Sequence, residues 1–167
     1  MSIAFEVVTP VAAPAEVVFD LSLDMDVHQA SLPGSHERAV AGVTSGLIGL
    51  GESVTLRARH FGVPFTLTSR VTEFDRPRRF VDRQVRGPFR SWVHEHAYDP
   101  GPAGGTVMTD RIAFRAPAGV LGRAVEVAVL ARYMRRLIER RGAYLKAEAE
   151  RRSDPTDPTD TADRAAG

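Results

Sequence analysis

From Glu52 to Phe114 the apolar residues of this chain recur mostly at every second position, and beyond Pro117 they recur at every third or fourth. A period of two belongs to strands with one buried face and a period near 3.6 to an amphipathic helix. The middle of the chain therefore predicts an antiparallel meander and its end a single helix. Val54, Leu56, Ala58 and His60 alternate with Thr55, Arg57 and Arg59, and Gly62-Val63-Pro64 makes a turn. Phe65, Leu67, Ser69 and Val71 then alternate with threonines and Arg70 until Asp75-Arg76-Pro77 ends the strand. A less regular strand covers residues 79–86. After Pro117-Ala-Gly, residues 120–148 carry Leu121, Val125, Ala128, Leu130, Ala131, Met134, Leu137, Ile138 and Leu145 on one broad side of a helix roughly 40 Å long.

The last hairpin is the most informative part of the meander. Ser91 to Tyr98 and Thr106 to Phe114 flank a stretch rich in Pro and Gly, which reads as a turn. Pairing Tyr98 with Thr106 sets His94 opposite Asp110, His96 opposite Met108 and Trp92 opposite Ile112. Trp92, His94, His96, Tyr98, Met108, Asp110, Ile112 and Phe114 then share one face. A purely packing face has little use for imidazoles and a carboxylate, so this mixture suits the wall of a ligand cavity.

Upstream, residues 3–9 form a β-rich first strand ended by Pro10. Pro14 with Val17, Val18 and Leu21 predicts a short helix, and Val27, Ala30 and Leu32 predict one more turn before Pro33-Gly34. Gly42 to Gly51 has neither the Lys-Ser/Thr ending of a P-loop nor the order of a dinucleotide fingerprint, so it reads as a hairpin or flexible loop or, alternatively, as a lid that contacts a ligand directly. The 22 Lys and Arg balance 21 Asp and Glu, which removes any global electrostatic case for nucleic acid or an anionic membrane. With no cysteine there is no disulfide, thiol catalysis or Cys-ligated zinc. No run approaches the ~20 apolar residues of a membrane span, and the N-terminus lacks the pattern of a secretory signal. The expected location is the cytoplasm. Residues 1–150 read as one domain and residues 151–167, rich in Asp, Pro and Thr, as a disordered tail.

A curved sheet must cover its concave face, and the long helix is the element large enough to do so. The element order, with Gly87-Pro88-Phe89, Trp92, His94, His96, Gly104-Gly105-Thr106, Asp110, Pro117, Gly119, Leu121-Gly122, Tyr133 and Leu137, resembles bacterial members of the START/polyketide-cyclase (SRPBCC) superfamily, which also contains the birch-pollen-allergen type. The likeness covers roughly residues 1–148. It implies an α+β helix-grip fold, a sheet of about seven antiparallel strands wrapped around the C-terminal helix. It also implies an apolar cavity for lipids, sterols, polyketides or plant metabolites; only some members are cyclases or hydrolases.

Site residues follow from the residues themselves. His94 with Asp110 reads either as a catalytic pair, the carboxylate fixing the imidazole as a general base, or as a cross-strand hydrogen bond that holds register. His60, Trp92, His96, Tyr98, Met108, Ile112, Phe114, Leu130, Met134 and Leu137 are expected ligand contacts. His60, His94, His96 and Asp110 also count as a set of metal donors, but their spacing matches no zinc-type motif, and the expectation is no metal and no cofactor. Arg132 interrupts the helical stripe and either reaches inward or snorkels to water. Arg135-Arg136 and Arg140-Arg141 read as a solvated face. No Gly-x-Ser-x-Gly elbow supports serine hydrolysis. Three readings follow: binding of a small, largely apolar molecule such as a lipid, polyketide or aromatic metabolite; an aromatase/cyclase or dehydratase-like enzyme using His94 and Asp110; and an interaction module, a homodimer among its forms, with a vestigial cavity.

Overall fold

The computed structural model describes residues 2–60, 62–115 and 124–154, without the side chains of Ser35, His60 and residues 124–127. Strand β1 (Ser2–Val11) leads into helices α1 (Ala15–Leu23) and α2 (Met25–Ser31). Strands β2 (Arg38–Gly42), β3 (Ser53–His60), β4 (Val63–Asp75), β5 (Arg79–Arg86), β6 (Ser91–Pro100) and β7 (Thr106–Arg115) follow, and α3 (Ala124–Arg152) ends the described chain. The strands form one antiparallel sheet in the order β1-β7-β6-β5-β4-β3-β2. The fold is the α+β helix grip, and no helix among the described residues is long and apolar enough to cross a membrane.

Local chemistry explains the bend between the two short helices. The Asp24 N–H donates to the Leu21 carbonyl and ends α1, while Asp24 Oδ1 accepts from the N–H groups of Asp26 at 2.8 Å and Val27 at 3.3 Å and starts α2. This corner buries Phe19, Leu21, Leu23 and Met25 against Phe80, Tyr98 and Met108 of the sheet. The glycine-rich loop after β2 is tied to the same corner: Met25 N–H donates to Gly46 O, and Ile48 N–H to Leu23 O.

Helix α3 is fastened along the edge strand β1. Arg135 Nη1 donates to Glu6 O and Lys146 Nζ to Pro10 O, both at 2.8 Å, and the Ala12 N–H donates to Glu150 Oε1. Gly142 lets the two backbones approach, since a Cβ there would lie 2.7 Å from Thr9 Oγ1. On the outer face a ribbon of alternating charge crosses five strands. Arg111 pairs with Glu6 and Glu95, and Arg79 with Glu95 and Glu73. Each exposed pair is worth little alone, but together they match charge to the register of the sheet.

Several expectations need correction. Tyr98 pairs with Met108, His96 with Asp110, His94 with Ile112 and Trp92 with Phe114, a register two residues away from the one expected. The strands run on to pair Pro100 with Thr106, and a five-residue connection, closed by Gly101 N–H to Gly105 O, completes the turn. An even shift keeps every side chain on its face, so all eight residues of the expected inner face are buried. Residues 38–42, which carry no alternation, form a strand through pairing with β3. Helix α3 passes the expected end at 148 and includes Arg151 and Arg152, which hydrogen-bond Glu148. The expected helix start at 120–123 and the rest of the expected tail, 155–167, lie outside the described residues.

Candidate functional site

Because α3 packs against β1, the helix closes the inner face over β1 and β7. Over β3 to β6 it stands away from the sheet, and a cavity of about 230 Å³ is left there. Sheet residues such as Leu56, Phe65, Val71 and Phe80 form its floor, α2 and the glycine-rich loop contribute Met25 and Ile48, and α3 contributes Leu130, Met134, Leu137 and Ile138. This largely apolar wall also carries polar groups: the cluster of Asp82, His94, His96 and Arg141, and His28 with Glu37, paired at 2.6 Å.

Of the expected site residues, His94 of the catalytic pair and the ligand contacts Trp92, His96, Leu130, Met134 and Leu137 line the cavity. Tyr98, Met108, Ile112, Phe114 and Asp110 do not; they are buried in the packed core behind or beside it. Three of these hydrophobic residues and Asp110 lie on β7, which pairs with β1 and packs beneath α3. The side chain of His60 lies outside the described residues.

Two polar members were not anticipated. Asp82 is the direct cross-strand partner of His94, and the alternation Phe80, Asp82, Gln84 was its one sequence trace. Arg141, read as part of a solvated face, is only 6% exposed. It falls on the helical stripe of Leu137, Ile138 and Leu145, and that spacing was the sign to heed. Arg132, the arginine considered for an inward role, is exposed.

The polar cluster has a definite geometry. His94 Nε2 donates to Asp110 Oδ1 at 2.8 Å. His96 Nδ1 approaches the same oxygen at 2.8 Å, without the angle of a hydrogen bond, and His96 Nε2 lies 3.3 Å from Asp82 Oδ2. The His96 ring is stacked on Phe80 with centroids 4.1 Å apart. Arg141 Nη2 donates to Ser22 O at 3.0 Å, while Arg141 Nε and the Tyr98 hydroxyl are buried without hydrogen-bond partners among the described residues.

Burial, with the neighbouring His96 charge second, pushes the His94 imidazole down to about 4 despite its bond to Asp110. His96 moves the other way: burial disfavours its cation, but the Asp110 and Asp82 carboxylates outweigh that penalty and raise it. Both carboxyls are held below their ordinary range, because the contacts with His96 and His94 overcome burial. A neutral imidazole, an imidazolium, two carboxylates and a guanidinium thus sum to no net charge. That balance is what makes a buried ionic cluster tolerable.

A seven-stranded antiparallel sheet gripping a long C-terminal helix around a mostly apolar cavity defines the helix-grip class of fold. The chain belongs to the family described as "Polyketide cyclase / dehydrase and lipid transport", which matches residues 2–150. Among solved structures, the Zhui aromatase/cyclase from a Streptomyces species is 22% identical with a TM-score of 0.75, covering 93% of this chain and 98% of that one. TTHA0849 from Thermus thermophilus is 16% identical with a TM-score of 0.73, over 92% of this chain and 100% of that one. The major latex-like protein 151 from Panax ginseng is 13% identical with a TM-score of 0.63, over 89% and 97%. These likenesses show the fold. No curated protein matches the chain.

Proposed function

We propose that this chain binds a small, largely apolar molecule, of about the bulk of a two-ring aromatic, carrying one oxygen-bearing polar group. The observation that carries the reading is the convergence of Asp82, His94, His96 and Arg141 on one largely apolar cavity. Its volume of about 230 Å³ falls below the ~300–1,000 Å³ usual for drug-sized ligands, which favours a compact ring system over a long acyl chain. The apolar body would lie between Leu56, Phe65 and Met134, with the polar group toward Arg141. A vestigial cavity would call for a closed core, and the open space stands against that third reading.

A specific contact favours catalysis as the second reading. Asp110 orients His94 from behind the cavity wall, as a carboxylate orients a base, and the resemblance to an aromatase/cyclase agrees with enolisation or dehydration chemistry. Trp92 is the single tryptophan and lines the cavity, so it reports binding directly. We expect 2-acetylnaphthalene to quench Trp92 in a saturable titration with one site per chain by calorimetry. No saturable binding of it or of 2-naphthoate at millimolar concentration would rule the cavity out as a binding site.

A further inference from the structure

We infer that Asp82, His94 and His96 form a binding site for one first-row divalent metal ion, open on the cavity side. Asp82 and His94 are direct partners across β5 and β6, and His96 follows His94 on the same face. Asp82 Oδ2 lies 3.3 Å from His96 Nε2 and 3.8 Å from His94 Nδ1, and one donor atom from each of the three lies within 4.8 Å of the others. With metal–ligand bonds of ~2.1 Å, the edge of a tetrahedral site is ~3.4 Å, so small side-chain adjustments would close the set around an ion.

Within the hydrogen bonds that join His94 to Asp110 and His96 to Asp82, the rings are turned as a metal site requires. Asp110 Oδ1 accepts from the far nitrogen of His94, Nε2, and lies as close to the far nitrogen of His96, Nδ1, both at 2.8 Å. The near nitrogens therefore turn toward Asp82. His94 Nδ1 and Asp82 Oδ2 face each other across 3.8 Å, too far for a hydrogen bond and close to the span of two metal–ligand bonds of ~2.1 Å. A carboxylate bound to the outer nitrogens of liganding histidines is the common outer-shell partner of metal sites.

Placement relative to the cavity agrees. The three donors line it and Asp110 does not, so the free coordination positions face the space a ligand enters. Two imidazoles and one carboxylate suit zinc, iron, cobalt or manganese, and three protein ligands leave room for a ligand oxygen. The two carboxylates balance a divalent ion, which leaves the Arg141 charge for an anionic group. This inference deepens the reading above and takes from it only that the cavity admits a ligand.

The test is titration of the chelator-treated full chain with Co(II), followed by visible absorption and by quenching of Trp92, whose ring centre lies 6.3 Å from that of His94. One cobalt per chain is expected, with the intense bands of a four- or five-coordinate centre and strong Trp92 quenching. Asp110→Asn should weaken binding ~10–100-fold, Asp82→Asn more, and His36→Gln, at an exposed histidine, not at all. Absence of stoichiometric cobalt, or cobalt bound without Trp92 quenching, overturns the site in the wild-type protein whether or not the variants fold. An Asp82→Asn protein that is folded by circular dichroism and binds cobalt unchanged also overturns it. The naphthalene probes are titrated into the same metal-free protein, so their binding without cobalt uptake rejects the metal and leaves the cavity reading standing.

Discussion

Arg141 occupies a position on α3 that the surrounding Leu137, Ile138 and Leu145 would lead one to fill with an aliphatic side chain. Burying a guanidinium is costly unless charge and hydrogen bonds compensate it. Here Ser22 O accepts from Nη2, and the Asp82 charge lies close enough for Arg141 to lower its carboxyl. Nε has no hydrogen-bond partner among the described residues, so the group holds a donor in reserve at the cavity wall. We expect Arg141→Met to cost about 1.5–3 kcal/mol, as for a lost hydrogen bond to a charged group, in chemical denaturation. We also expect it to weaken 2-naphthoate while sparing neutral 2-acetylnaphthalene. Equal weakening of both probes would mean that Arg141 only supports the fold.

At the level of elements, the position of α3 depends on how closely it approaches β1. Alanine normally favours a helix over glycine by up to ~1 kcal/mol, yet at Gly142 the new Cβ would meet Thr9 Oγ1 at 2.7 Å, while Met108 Cε and Thr9 Cβ stay at ordinary contact distance. Gly142→Ala should therefore destabilise the protein by about 1–3 kcal/mol through overpacking. In a Thr9→Ala background the same change should instead stabilise it by up to ~1 kcal/mol. Urea melts of the four proteins in this cycle measure the reversal; the same sign in both backgrounds would show that the helix is not seated against Thr9.

For the whole molecule, the cavity exists because one helix cannot cover a seven-stranded sheet from edge to edge. Seated on β1, α3 leaves the β3 to β6 side to be roofed by α2 and the loop that brings Ile48 inward. Ala58 faces that space from β3. Ala58→Phe should fill it, leaving stability unchanged or raised by ~0.5–2 kcal/mol as cavity-filling substitutions commonly do. Quenching of Trp92 by 2-acetylnaphthalene should disappear. Quenching that survives in a folded Ala58→Phe protein would place the probe on the surface.

Alternation by two and by 3.6 is a property of neighbouring residues, and it was enough to reveal the antiparallel meander, the C-terminal helix and the face on which Trp92, His94, His96 and Asp110 lie. Facing survives a register error of two, which is why that face was legible although the pairing was not. The pairing depended on where the turn closes, and the run of Asp99 to Gly105 permits more than one closure. Residues 38–42 became a strand only through the partner that β3 offers. Asp82 and Arg141 are far apart in the chain and look like ordinary surface charges. Only the tertiary structure brings them to one corner with His94 and His96, because burial of a charge is decided by the compensating charges that folding places around it.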